Sequence, residues 1–556
     1  MLNAALIAVL GAIWFGVMYK WYGDLIDRKL ISPNDDNVTP ANSLRDDIDY
    51  VPSRSGILFG HHFSSIAGAG PIVGPIFAYY LFGWLPAMLW ILLGSVFIGA
   101  VHDYTALMTS VRSRGVSISE LAQRHVSNTA RWIFSIFLWV ALVLVIAVFG
   151  VLTAQTFAEK PEIVIPSVGL MLIAILFGML VYQRNLNLVF GTIVALVLMF
   201  VLIVLGERFP IQASADLWLV VALLYSFVAA TIPVWVLLQP RDYLSMYVLI
   251  IGIGLAFVSL LVMQPEITGP AFVGLTSKSG PLWPILFITV ACGAVSGFHS
   301  AVSSGTTSKQ LTRETHGKRI AFGGMLTEGL LALIVVLLIS SVLYWDKAPA
   351  KELSGYVFQT LLSKSPNITF GTAMGRAMES IGIPLQYGIA FGVLMLNAFI
   401  FTTLDTCARL SRYIMSETVG QKIPLLGNIH VATGIGLLFA YILTTGNNWK
   451  ILWPAFGAAN QLIGGLTLLV VTAYMFGFKK ATVYTLIPGG LMLVTTEGAL
   501  IYQLIWQYLP AGNYVLSAVA GVLMILGVVI TVEVYRRLQR KDQLVFVEGE
   551  VAVGKL

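Results

Sequence analysis

Fifteen runs of about 20 mostly apolar residues, the length a helix needs to cross the hydrocarbon core of a bilayer, restrict this chain more than any other feature. They start near residues 2, 57, 84, 131, 164, 187, 216, 241, 284, 319, 384, 428, 450, 484 and 514. Without water to satisfy backbone groups, such runs must be helical, so the expected fold is an all-α polytopic membrane protein with about 15 transmembrane helices. Composition agrees, since 57% of the 556 residues are hydrophobic and 11% charged, which excludes a water-soluble multidomain enzyme. The first run lacks a preceding basic segment and a small-residue cleavage site, so it reads as a retained span, not a signal peptide.

Lysine and arginine positions predict sidedness, because cytoplasmic connections hold the excess. With the N-terminus outside and the C-terminus in the cytoplasm, 25 of the 33 fall on the inner side. The net charge of +6 then reflects orientation and contact with the lipid bilayer, and no stretch mixes basic and aromatic residues as a nucleic-acid groove would. Two connections are long, 21–56 inside and 346–383 outside, and neither reads as a separate folded domain.

Span 2, "GHHFSSIAGAGPIVGP", places Gly68, Gly70, Pro71, Gly74 and Pro75 near its middle, which predicts a break. Such backbone is tolerated at that depth where protein or a cavity satisfies it, and in secondary transporters it binds substrate and ion. Span 7, "YSFVAATIPVWVLLQPRDYL", carries Pro233 and starts five spans later, an odd offset that inverts its direction. The spacing predicts a five-plus-five inverted repeat with extra helices. The expected divisions are an N-terminal span at 1–20, the loop at 21–56, repeats at 57–206 and 216–418, further spans at 428–537 and a tail at 538–556. A seven-plus-seven repeat pairing spans 2 and 9 is the alternative, "GFHSAVSSG" echoing "GHHFSSIAG".

Ionisable groups inside spans are functional candidates by default. His61, His62, His102, Asp103, His299, Glu328 and Asp405 come from five spans and fall in the cytoplasmic half of the membrane. Substrate binding is expected at His61, His62, Ser64, Ser65, Gly68, Ala69, Gly70, Gly74, Thr231 and Arg241. Coupling to protons, or alternatively to sodium, is expected at His102, Asp103, His299, Ser303, Ser304, Thr307, Glu328 and Asp405. Structural readings stand beside these: Asp405 and Arg409 have the i,i+4 spacing of a helix-stabilising pair, and adjacent His102 and Asp103 should not share a face. Asn460 and Gln461 read as hydrogen-bonding packing residues. Cys292 and Cys407 suggest neither a disulfide nor a thiolate metal site. No cofactor or metal is implied, and no H-E-x-x-H, nucleotide loop or Ser/Lys constellation supports an enzyme. A metal-dependent membrane enzyme is the competing class.

The motifs "GHHFSSIAGAGPIVGP", "GAVHDY", "VLLQPRDYLS", "SGFHSAVSSGTTSKQL", "TTLDTCARLSRY" and "WPAFGAANQL", in order from about residue 50 to 475, resemble the carbon starvation protein A family. The resemblance implies uptake of pyruvate or peptides, a bacterial or archaeal inner membrane, and a leucine-transporter-like core. It supplies no established binding residues. The expected function is a secondary active transporter that imports a small carboxylate, first pyruvate, with protons; a peptide transporter is the alternative. Oligomeric state is not legible.

Overall fold

The computed structural model describes residues 3–539 apart from 48, 185, 234–235 and 446–448, so the basic tail expected at 538–556 lies outside the described residues beyond Gln539. Twelve helices are long and apolar enough to cross a membrane. Two shorter apolar helices, Ala215–Thr231 and Ile429–Thr444, and an interrupted segment from Leu282 to Gly305 occupy the remaining expected runs. The one sheet among the described residues is a short antiparallel pair, Thr276–Ser277 with Gly280–Pro281.

Burial separates core from periphery. The apolar window of Lys450–Gly477 is wholly enclosed by protein, and Asn128–Glu159 and Leu385–Gln421 are nearly so. Leu188–Arg208, by contrast, leaves Val189, Phe190, Ile193 and Val197 exposed, as a lipid-facing helix must.

Span 2 is interrupted as its glycines and prolines predict. Helix Ser55–Ile66 stops, Ala67–Ala69 are not part of either helix, and Gly70–Phe82 begins with Pro71 in its first turn. Proline suits that place because its missing N–H would have no partner there. Span 9 is interrupted more widely, between Leu282–Thr289 and Phe298–Gly305. The two broken spans run side by side in opposite directions. At one end a Cβ on Gly74 would lie 2.7 Å from the Thr289 carbonyl oxygen and 3.3 Å from Val290 Cα. At the other, His62 Nδ1 lies 2.9 Å from Thr307 Oγ1.

Span 7 differs from expectation. Its helix ends at Thr231, and Pro233 falls beyond that end, in the turn leading to Leu238–Met263. Proline here terminates a helix instead of interrupting one. The antiparallel partner of span 2 is therefore span 9.

The connection 346–383 also holds more structure than expected. Pro366–Glu379 is a buried helix whose Gly371 and Gly375 approach Val393 and Ile389 of span 11. Fourteen residues are too few to read as a span, which is why the hydropathy pattern passes over it. On the opposite face the basic connections meet the 21–56 loop. Glu314 pairs with Arg112 at 2.9 Å and accepts from the Asn34 backbone N–H at 3.0 Å. Tyr413 donates to Asp49 at 3.1 Å.

Candidate functional site

Two buried polar networks flank the interruptions. In the first, His61 Nδ1 lies 3.2 Å from Asp242 Oδ2, and Ser64 donates to the Asp242 carbonyl at 2.7 Å. Arg241 donates to Asp242 Oδ1 at 2.9 Å and to the Tyr225 hydroxyl at 2.7 Å, and it pairs with Asp405. Tyr225 donates to the same Asp405 oxygen at 2.8 Å. Arg241 is thus clamped between two carboxylates and is not free to meet a substrate in this conformation.

The expected Asp405–Arg409 pair does not form. Arg409 instead donates to the carbonyls of Ala229, at 2.9 Å, and Ile232, where the helix of span 7 ends. A helix C-terminus presents orphan carbonyls that attract a cation. Among the described residues, span 7 thus presents carbonyls at this point, not free N–H groups. Thr231 also falls outside the site, its hydroxyl donating back to Phe227 O at 3.0 Å.

The second network is a chain of four side chains with no exposed surface. His102 Nδ1 is 2.7 Å from Asp103 Oδ1, Asp103 Oδ2 is 2.8 Å from His299 Nδ1, and His299 Nε2 is 3.4 Å from Glu328 Oε2. Adjacency does not separate His102 from Asp103 as expected, because ring and carboxylate are long enough to reach around the helix. An ionised Asp103 can only accept, so both imidazoles offer it Nδ1–H and direct their Nε2 away from it. His299 Nε2 and both Glu328 oxygens lack a hydrogen-bond partner among the described residues. The His62 ring packs on Gly324, one turn before Glu328.

The interruptions differ in what they leave available. In span 9, Asn460 Oδ1 accepts from Phe298 N at 2.8 Å and Asn460 O from Gly297 N at 3.0 Å. Gln461 Nε2 donates to the carbonyls of Phe287, at 2.8 Å, and of Val290 and Val295, at 3.3 Å each. These two residues hold the unwound backbone, as the packing reading requires. In span 2, the amides of Ile72 and Val73 turn back to Ala69 O, and Pro71 has none. Ala69 and Gly70 are the amides at that helix start facing the break.

Between the breaks lies a small cavity of about 10 Å³ lined by Ile66, Gly68, Phe149, Cys292, Phe298 and Thr403, among others. The Thr403 hydroxyl is buried without a hydrogen-bond partner among the described residues. A larger space of about 30 Å³, with Asp49, His61, Gln239, Gln310, Arg409 and Tyr413 on its walls, opens toward the basic face. Ser65 and Ser303 hydroxyls are buried and unpartnered, whereas Ser304 donates to Ser300 O at 2.7 Å and accepts from Ile118 N at 3.1 Å.

Cys292 departs from expectation. It sits in the unwound stretch of span 9, its thiol within 4.8 Å of ligand atoms of His299 and Glu328. Unwinding turned a residue read as packing into a member of a polar cluster. Tyr225, Thr403 and Phe149 carried no local sequence signal, since hydroxyls and rings in apolar helices are mostly packing.

A broken, antiparallel helix pair that encloses a cavity beside buried ionisable groups defines a polytopic membrane transporter. The chain belongs to the family described as carbon starvation protein CstA, whose profile matches residues 3–360 and 350–499. It is similar to the peptide transporter CstA of Bacillus subtilis, 32% identical over 96% of this chain and 97% of that one. It is also similar to the pyruvate/proton symporter BtsT of Escherichia coli, 31% identical over 90% of this chain and 81% of that one. A manganese transporter of Eremococcus coleocola has the same fold, with a TM-score of 0.51 at 10% identity over 89% of this chain and 99% of that one.

Proposed function

We propose that this protein imports a small carboxylate, pyruvate first, in symport with protons across a bacterial or archaeal inner membrane by alternating access. The basic face is then cytoplasmic, with the N-terminus outside. The two repeats each open on a broken helix and run from Ser55 to Met263 and from Leu282 to Gly477. Pro161–Val181 and Leu188–Arg208 are peripheral insertions in the first, which reconciles a five-plus-five core with the pairing of spans 2 and 9.

The observation that carries this reading is the cavity between the breaks. With about 10 Å³, room for about one water, it is an occluded space that must widen to admit any substrate. Its walls are apolar, suited to a methyl group, with the Thr403 hydroxyl among them as a donor for a carboxylate. The chain His102–Asp103–His299–Glu328 ends on a carboxylate without a hydrogen-bond partner among the described residues and supplies a proton carrier beside that cavity. Sodium coupling is disfavoured because Ser304 and Thr307 hydroxyls are already engaged.

Peptide transport has its own support, the name of a relative that matches this chain nearly end to end. Purified protein in liposomes separates the readings. Radiolabelled pyruvate should accumulate under an inward proton gradient, not under a sodium gradient, and excess di- or tripeptide should leave the rate unchanged. Absence of gradient-driven accumulation removes the proposal, and full competition by peptides replaces it with the peptide reading.

A further inference from the structure

We propose that Cys292, His299 and Glu328 form a binding site for one borderline-soft transition-metal dication of the zinc class, at the interruption of span 9. The three ligand atoms lie within 4.8 Å of one another and are buried. His299 Nε2 and Glu328 Oε2 are 3.4 Å apart. Two ligands about 2.1 Å from a tetrahedral ion stand about 3.4 Å from each other, so this pair already has the required separation.

Two acceptors facing each other at that distance need a proton or a metal cation between them. His299 Nε2 and both Glu328 oxygens have no hydrogen-bond partner among the described residues. Asp103 Oδ2, 2.8 Å from His299 Nδ1, holds the ring with its Nε2 lone pair toward Glu328. Carboxylates support metal-bound histidines in this way.

Sulfur, imidazole and carboxylate together suit zinc or cobalt better than magnesium or calcium. Charge also matches. Binding displaces the Cys292 thiol proton, and thiolate plus carboxylate neutralise the dication within the membrane. Cys292 also lines the small space between the breaks. An ion here would tie the unwound stretch of span 9 to span 10 and would compete with the proton for His299 and Glu328, so the metal-bound and proton-carrying forms are mutually exclusive.

Cobalt(II) titrated into the full-length protein in detergent tests the site, because a thiolate ligand produces a near-ultraviolet sulfur-to-cobalt absorption. The expected result is one equivalent bound, displaced by zinc. Only two cysteines are present. Cys407→Ser should therefore retain the band and Cys292→Ser lose it. Glu328→Gln should weaken cobalt binding at least tenfold, and Asp103→Asn by about 10–100-fold. No band in the wild-type protein overturns the proposal, as does a band that survives Cys292→Ser. If Cys292→Ser does not elute as a folded species, Cys407→Ser still decides, since loss of the band there moves the ligand away from Cys292.

Discussion

Asp103 and His299, 196 residues apart in sequence, meet in the membrane interior with Oδ2 2.8 Å from Nδ1. That contact orders a chain that ends at Glu328. Because a glutamine at 328 cannot release a proton, Glu328→Gln should abolish pyruvate accumulation driven by a proton gradient. Exchange of labelled for unlabelled pyruvate, which needs no net proton movement, should persist. Accumulation at the wild-type rate would show that Glu328 carries no proton.

Arg241 and Asp405 are both buried and paired, with Asp242 and Tyr225 completing the cluster. Removing one partner of a buried pair leaves an uncompensated charge and destabilises by about 3–5 kcal/mol. Asp405→Ala should therefore lower the thermal midpoint sharply. Replacing both, as Arg241→Met with Asp405→Leu, should lose less than the sum of the single losses. Additive losses in a double-mutant cycle would refute direct coupling.

The sequence made the helices legible because apolar length alone dictates them, and proline with glycine marked the break in span 2. Span 9 was harder. Its interruption lies in "VACGAVSG", where small residues signal close packing as readily as unwinding, and the side chains that hold it, Asn460 and Gln461, come from a distant helix. Pro233 misled because proline ends helices as well as breaking them. The ionisable residues were found by their cost in a membrane, but their partners were not. Arg409 has two plausible uses at any helix end, and only the fold showed that span 7 terminates beside it.

Close approach of the broken spans depends on missing side chains. A Cβ at Gly70 would collide with the Cys292 side chain, whereas one at Gly74 would meet backbone. Overpacking costs about 1–3 kcal/mol. Gly70→Ala should be partly rescued by Cys292→Ala in thermal unfolding, and Gly74→Ala should gain nothing from that change. Equal rescue of both would contradict the geometry.

Outside the spans, His125 packs edge-on to Tyr474 at 5.0 Å, and burial beside Arg124 and Arg537 pushes its pKa down to about 4 from 6.5. The unfolded chain then binds the proton more readily than the folded one, so stability is full above about pH 6.5 and declines toward pH 4. His125→Gln should flatten the thermal midpoint across that window. An unchanged pH profile would remove His125 as the cause.

Thr403 offers the most direct test of the cavity. Its hydroxyl is buried, lines the space between the breaks and has no partner within the described residues. A valine keeps the shape and removes only the hydroxyl, so folding should be unharmed. If that hydroxyl donates to a bound carboxylate, the loss is about 1.5–3 kcal/mol, because hydrogen bonds to charged groups are the stronger kind. Thr403→Val should then raise the KM for pyruvate by roughly 10–100-fold, with Thr403→Ser close to wild type. A Thr403→Val protein with unchanged KM and unchanged thermal midpoint would place the carboxylate elsewhere.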